Sequence, residues 1–156
     1  MAARSPAMIG EKLPQALTAH HPVIVIVEGG EKSSMWTTSQ ISNEDLSGAL
    51  SESLRKTGLF KSVGTSDGAV FRLETRLEDL AQPVQGFTVT VELRVDWRLI
   101  RIADNQVLWH DNSLSTYTTP AGEAYRGYIV NLRLATEGAA RQNIEQGLTE
   151  LAAVKF

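Results

Sequence analysis

Along this chain, hydrophobic and polar positions fall into two repeating patterns, one of period two and one of spacing three and four. The longest signal is Phe87, Val89, Val91, Leu93, Val95, Trp97 and Leu99, which alternate with Thr88, Thr90, Glu92, Arg94, Asp96 and Arg98. Successive side chains of a strand point to opposite faces, so this run predicts a long strand with one oily and one wet face. Its length makes a register slip costly and favours antiparallel neighbours. A shorter run, Phe71, Leu73, Thr75 and Leu77 against Arg72, Glu74 and Arg76, predicts another strand of the same kind. The segment Val23 to Val27 is apolar at every position, which suits a strand covered on both sides, and Gly29-Gly30 ends it. Ala103-Asp104-Asn105-Gln106 is a polar turn, after which Val107-Leu108-Trp109 returns as a hairpin partner.

Leu46, Ala49, Leu50 and Leu54 form a helical stripe within residues 42 to 57. Ser42 with Asp45 three residues later is a start signal, and Gly58 suits the left-handed residue that ends a helix. A second stripe, Ala140, Ile144, Leu148, Leu151 and Ala152, predicts a closing helix with Glu137 and Arg141 as an outward pair. Residues 1 to 21 show no period and are expected to be a mostly extended lead-in, and the second half of 112 to 128, which holds Pro120, is expected to be a loop. The prediction is one α+β domain over residues 1 to 156. It has an antiparallel sheet of about four strands with two helices on one face, in the order β-α-β-β-β-α.

At 156 residues the chain can bury one sizeable core. Fifteen basic against 18 acidic residues give a net charge of −3, without the positive footprint that nucleic acid selects. The absence of cysteine removes disulfides, thiolate metal sites and thiol nucleophiles. No apolar run reaches the roughly 20 residues of a membrane span or the core of a secretion signal. The chain is compatible with the mature part of an exported protein.

Two motifs resemble catalytic or nucleotide loops. Gly64-Thr65-Ser66-Asp67-Gly68 matches the nucleophile elbow, but that device needs a helix after it and a strand follows here, so an ordinary turn is preferred. Gly29-Gly30-Glu31-Lys32-Ser33 lacks the glycines of a phosphate loop at Ile26 and Glu31. His20, His21 and His110 have no ligand spacing and read as loop histidines, while Asp104 and Asp111 read as turn residues. No catalytic, cofactor-binding or metal site is therefore expected. Trp97 and Trp109 fit the core. The row Glu92, Arg94, Asp96 and Arg98 reads as a solvated sheet face of mixed sign. Trp36, Tyr117, Tyr125 and Tyr128 lie outside the periodic core pattern and are the candidate partner contacts.

Trp36, the run from Leu46 through Leu54 to Gly58-Leu59-Phe60 and Val63, the strand Phe71-Arg72-Leu73-Glu74, the long strand ending Asp96-Trp97-Arg98-Leu99 and the closing Ala-rich helix together resemble a bacterial family. It is the ABC-type transport auxiliary lipoproteins, and the similarity spans residues 36 to 154. The chain departs from that family in its first strand, where Val23 to Val27 stand in place of a tyrosine-containing strand, and in having no lipid-bearing cysteine. Other envelope lipoproteins share the same helix ending, including the small lipopolysaccharide-assembly partner, curli-type domains and penicillin-binding-protein activators. The resemblance implies a non-enzymatic periplasmic domain, held at the outer membrane by a lipid, that serves an envelope lipid or ABC-type transport system through its proteins and lipid. Two alternatives remain: a lipid or small-molecule carrier with a cavity between helices and sheet, and a serine hydrolase using Ser66.

Overall fold

The computed structural model describes residues 1–15, 21–30, 40–64, 68–82, 84–85, 88–119 and 127–155. The elements are α1 (Ser5–Met8), β1 (Val23–Glu28), α2 (Asn43–Thr57), β2 (Phe71–Ala81), the two-residue β3 (Val84–Gln85), β4 (Thr88–Arg101), β5 (Gln106–Thr118) and α3 (Tyr128–Ala152). The α+β class and the order β-α-β-β-β-α agree with the sequence prediction. The sheet, however, is mixed. β4 lies between β2 and β5 and pairs antiparallel with both, whereas β1 runs parallel to β2 from Val23↔Phe71 to Glu28↔Arg76. The reason is α2, because a helix between two strands returns the chain in its starting direction.

α2 forms where its end signals place it. Ser42 Oγ accepts from the Asp45 N–H at 3.1 Å, and Gly58 closes the helix at φ 66°. Its stripe of Leu46, Ala49, Leu50 and Leu54 is buried against the sheet. On β4, Val89, Val91, Leu93, Val95, Trp97 and Leu99 are all at most 2 % exposed, and α3 closes over them with Ala140, Ile144, Leu148 and Leu151. Ala152, the last residue of the predicted stripe, is exposed.

β5 is longer than the three residues its apolar letters suggest. It runs antiparallel to β4 as far as Thr90↔Thr118, with small polar residues on its inner face. Ser115 Oγ donates to Ala139 O at 2.7 Å, and Ser113 Oγ donates to Asn143 Oδ1 at 2.9 Å. The Trp97 indole N–H donates to the same two side chains, at 3.1 Å to Ser113 and 3.0 Å to Asn143. α3 carries glycine where it lies closest to these rings: an added Cβ at Gly147 would stand 2.7 Å from Trp97 Cζ2. Trp109 is half-buried, its ring centroid 6.4 Å from that of Trp97.

Three further expectations are corrected. The lead-in is not merely extended: it forms α1, buries Ala3 and Met8, and is bonded across the helices, with Gly10 N–H to Ser53 Oγ (2.9 Å) and Glu11 N–H to Glu145 Oε1 (2.8 Å). Glu137 and Arg141 are consequently not an outward pair. Glu137 is 2 % exposed and accepts from the Arg4 backbone N–H (3.0 Å) and Nε (3.1 Å), while Arg141 donates to Ala7 O (3.0 Å). Finally, β1 is covered on one side only, since Ile26 on its other face is 36 % exposed.

Candidate interaction surface

None of the described helices covers the second face of the sheet, because the odd-numbered residues of β4 take the helices and the even-numbered ones turn away. This open face carries an ordered polar network centred on Asp96. His110, brought opposite Arg98 by the β4–β5 register, places Nε2 2.6 Å from Asp96 Oδ1, and Arg98 Nε lies 3.2 Å from Asp96 Oδ2. Asn112 Nδ2 donates to Glu78 Oε2 at 2.8 Å and to Asp96 Oδ1 at 3.4 Å, while its Oδ1 accepts from Arg94 Nη1 at 2.9 Å. On β2, Arg72 Nε donates to Glu74 Oε1 at 2.7 Å. Burial pushes the Asp96 carboxyl up, but the hydrogen bonds from His110 and Asn112 and the charges of His110 and Arg98 outweigh it and hold its pKa below the ordinary value. Aliphatic side chains sit on the same face at its two edges, Leu114 on β5 at 47 % exposure and Ile26 on β1 at 36 %.

This arrangement corrects two sequence readings. His110 and Asp111 stand within β5, not in a loop or turn, and Asp96 is only 9 % exposed despite its place in a row of solvated charges. The β4–β5 register could have revealed the cluster, since a hairpin turning at 103–106 carries residue 110 back beside residue 98. Asp104 does serve the turn, accepting from Gln106 N–H at 3.2 Å.

Of the four aromatic contacts proposed from the sequence, Trp36 and Tyr125 lie outside the described residues, as do His20 and Ser66. Tyr117 is half-buried between the sheet and α3, against Gly138, with the Arg141 guanidinium 5.8 Å from its ring centre. Tyr128 opens α3 and is 47 % exposed beside Ile129 at 46 %. His21 stacks edge-on to Phe71. Among the described residues no three His, Cys, Asp or Glu side chains gather as a metal site.

Among the described residues the helices pack closely on the sheet around Trp97. A cavity of about 10 Å³ remains between Leu50, Trp97 and Ile144. Surface clefts of about 220 Å³ at Gly29–Gly30 and Leu93, and about 90 Å³ at Ile26 and Asp96, are also smaller than the roughly 300 Å³ at which small-molecule pockets begin.

No family model and no curated protein matches the chain. Solved structures do. A Xanthomonas campestris protein of the family model DUF330 superposes with a TM-score of 0.66 at 8 % identity, over 97 % of this chain and 91 % of that one. The Chlamydia trachomatis protein CT253 gives 0.59 at 11 % identity, over 87 % and 98 %. A minor lipoprotein from Acinetobacter baumannii gives 0.51 at 12 % identity, over 87 % and 93 %. The fold is one that bacterial lipoproteins use. At such low identity the shared feature is the backbone architecture alone.

Proposed function

We propose that this chain is a non-enzymatic domain of a bacterial envelope lipoprotein, facing the periplasm from the outer membrane, and that it serves as an accessory of a lipid or ABC-type transport system. The observation that carries this reading is the contrast between the two faces of one sheet. One face is covered by helices over a packed apolar core, and the other presents preorganised charges and exposed aliphatic groups. Side chains already held by one another lose little freedom on docking, which suits a surface that meets protein. The lipoprotein fold of the structural neighbours supports the compartment. A carrier role has less support, because among the described residues the cleft at Gly29–Gly30 and Leu93 holds about 220 Å³ and the gap at Trp97 about 10 Å³, both below the size of an ordinary ligand pocket.

The test is photocrosslinking in a bacterial envelope fraction, with the probe placed at Thr90, Arg94 or Leu114 on the open face and at Glu145 on α3 as the control. Capture of envelope transport proteins from the sheet positions, identified by mass spectrometry, is the expected result. Capture restricted to the helix position, or of cytosolic proteins alone, would refute the assignment.

A further inference from the structure

The first dozen residues run along the furrow between α2 and α3, and side chains of both helices bond to their backbone. On α3, Glu137, Arg141 and Glu145 follow one another at four-residue steps, so they stand on one ridge of the helix. The Glu137 carboxylate accepts from the Arg4 N–H at 3.0 Å, and the Arg141 guanidinium donates to Ala7 O at 3.0 Å. One turn on, Glu145 Oε1 accepts from the N–H groups of Glu11 at 2.8 Å and Lys12 at 3.1 Å. From α2, Ser53 Oγ accepts from the Gly10 N–H at 2.9 Å. Two side chains of the segment are also received. Met8 is 0 % exposed, and Arg4 Nε donates at 3.1 Å to Glu137, a carboxylate 2 % exposed, with Arg133 Nε farther off at 3.6 Å. A charge so buried demands a cation beside it. Side chains that bond to backbone groups hold a peptide in place, while a few pockets choose among sequences. The segment itself is lightly held, because its helix α1 has four residues and no side-chain cap, and its bonds to Glu145 are exposed. A chain end of this kind opens locally before the domain unfolds.

We propose that the furrow between α2 and α3 is a peptide-binding groove, which the chain's own N-terminal segment fills as a replaceable strap. Its partner is a short peptide carrying an arginine and, four residues later, an unbranched apolar side chain. The arginine meets Glu137, the apolar residue takes the place of Met8, and Arg141, Ser53 and Glu145 bond to the peptide backbone. The seated strap shows the chemistry that fits, because each of these helix groups bonds to it now. While the strap is in place the groove is closed to the partner, so its opening controls binding. The groove lies on the helices and not on the bare face of the sheet, so this inference stands apart from the transport reading.

A protease site inserted after Gln15 allows the strap to be cut once the full chain has folded. The probe is a synthetic peptide of residues 1–13 with fluorescein on Lys12, an exposed position, and fluorescence anisotropy reads its binding. In excess over the cut strap it should bind saturably, and it should bind the uncut chain about ten-fold weaker, because there a tethered strap competes. Arg4→Ala and Met8→Ala peptides should each bind the cut chain about ten-fold weaker than the parent peptide. A cut Glu137→Gln chain should bind the parent peptide about ten-fold weaker and no longer distinguish it from the Arg4→Ala peptide, a coupling that general loosening of the fold does not produce. In the unmodified chain the Gly10 N–H should exchange with deuterium about ten-fold faster than that of Ile144. The proposal is overturned if the cut chain unfolds by circular dichroism as its strap leaves, or if the peptide does not bind it. Arg4→Ala and Met8→Ala peptides that bind as tightly as the parent, or a Gly10 N–H that exchanges as slowly as that of Ile144, would overturn it equally.

Discussion

Replacing Gly147 by alanine sets helix propensity against packing, and the structure decides the sign. In an exposed helix this change gains about 1 kcal/mol. Here the new Cβ would stand 2.7 Å from Trp97 Cζ2, 2.8 Å from Cε2 and 3.1 Å from Cη2. The indole cannot step back freely, since Trp97 is 1 % exposed and its N–H is bonded to both Ser113 and Asn143. Overpacking a closed core costs about 1–3 kcal/mol, and each strained hydrogen bond adds up to about 1 kcal/mol. The net expectation is a loss of about 1–2 kcal/mol, equivalent to roughly 2–8 °C in Tm for a domain of this size. Gly48→Ala on α2 is the matched control. Its Cβ would meet only Ser5 Oγ at 2.9 Å, a hydroxyl that can rotate away, so stability should rise by about 0.5–1 kcal/mol. Urea unfolding followed by tryptophan fluorescence and circular dichroism measures both. If Gly147→Ala stabilised the chain as much as Gly48→Ala, the close seating of α3 on Trp97 would be wrong.

Asn143→Ala should destabilise by about 2–3 kcal/mol, because it removes the acceptor shared by Trp97 and Ser113 inside the core, and near-ultraviolet circular dichroism should register the loosened indole. Asp96, whose pKa is depressed, contributes stability that is present above its unfolded value and lost as pH falls through the lower folded value; an Asp96→Asn chain should therefore lose less stability on acidification below about pH 4. Glu150 shows the opposite sign. Its hydrogen bond to Asp111, together with burial and the Asp111 charge, raises its pKa, so that contribution is full below the unfolded value and lost as pH rises through the folded one. Glu150→Gln should accordingly be at least as stable as the parent at pH 7 and lose its advantage near pH 4, as read by thermal melts.

The parts of this fold that were legible in the sequence are those that advertise themselves over one or two turns of chain. Ser42, the Leu46 to Leu54 stripe and Gly58 mark both ends and the buried side of α2, and the β4 alternation picks out the helix-facing residues from Val89 to Leu99, though not the burial of Asp96 on the other face. What escaped depends on partners far along the chain. β5 hides its inner face behind Ser113 and Ser115, which read as loop residues until Asn143 and the Ala139 carbonyl arrive to bond them. Glu137 looks like a solvent residue until the first eight residues fold over it. The direction of β1 is likewise invisible locally, since VIVIV reads the same whichever way its neighbour runs. At the candidate surface, the charge row on β4 was legible but its organisation was not, because His110 and Asn112 come from the other arm of the hairpin.

The first dozen residues lie against the middle of α3, tied there by Arg4 to Glu137, Ala7 to Arg141 and Glu11 to Glu145. Anything attached ahead of Met1 would therefore pull on the longest helix of the domain and not on a loose tail. Tension applied there would reach α3 through Arg4, Ala7 and Glu11 in turn, before it reached the sheet.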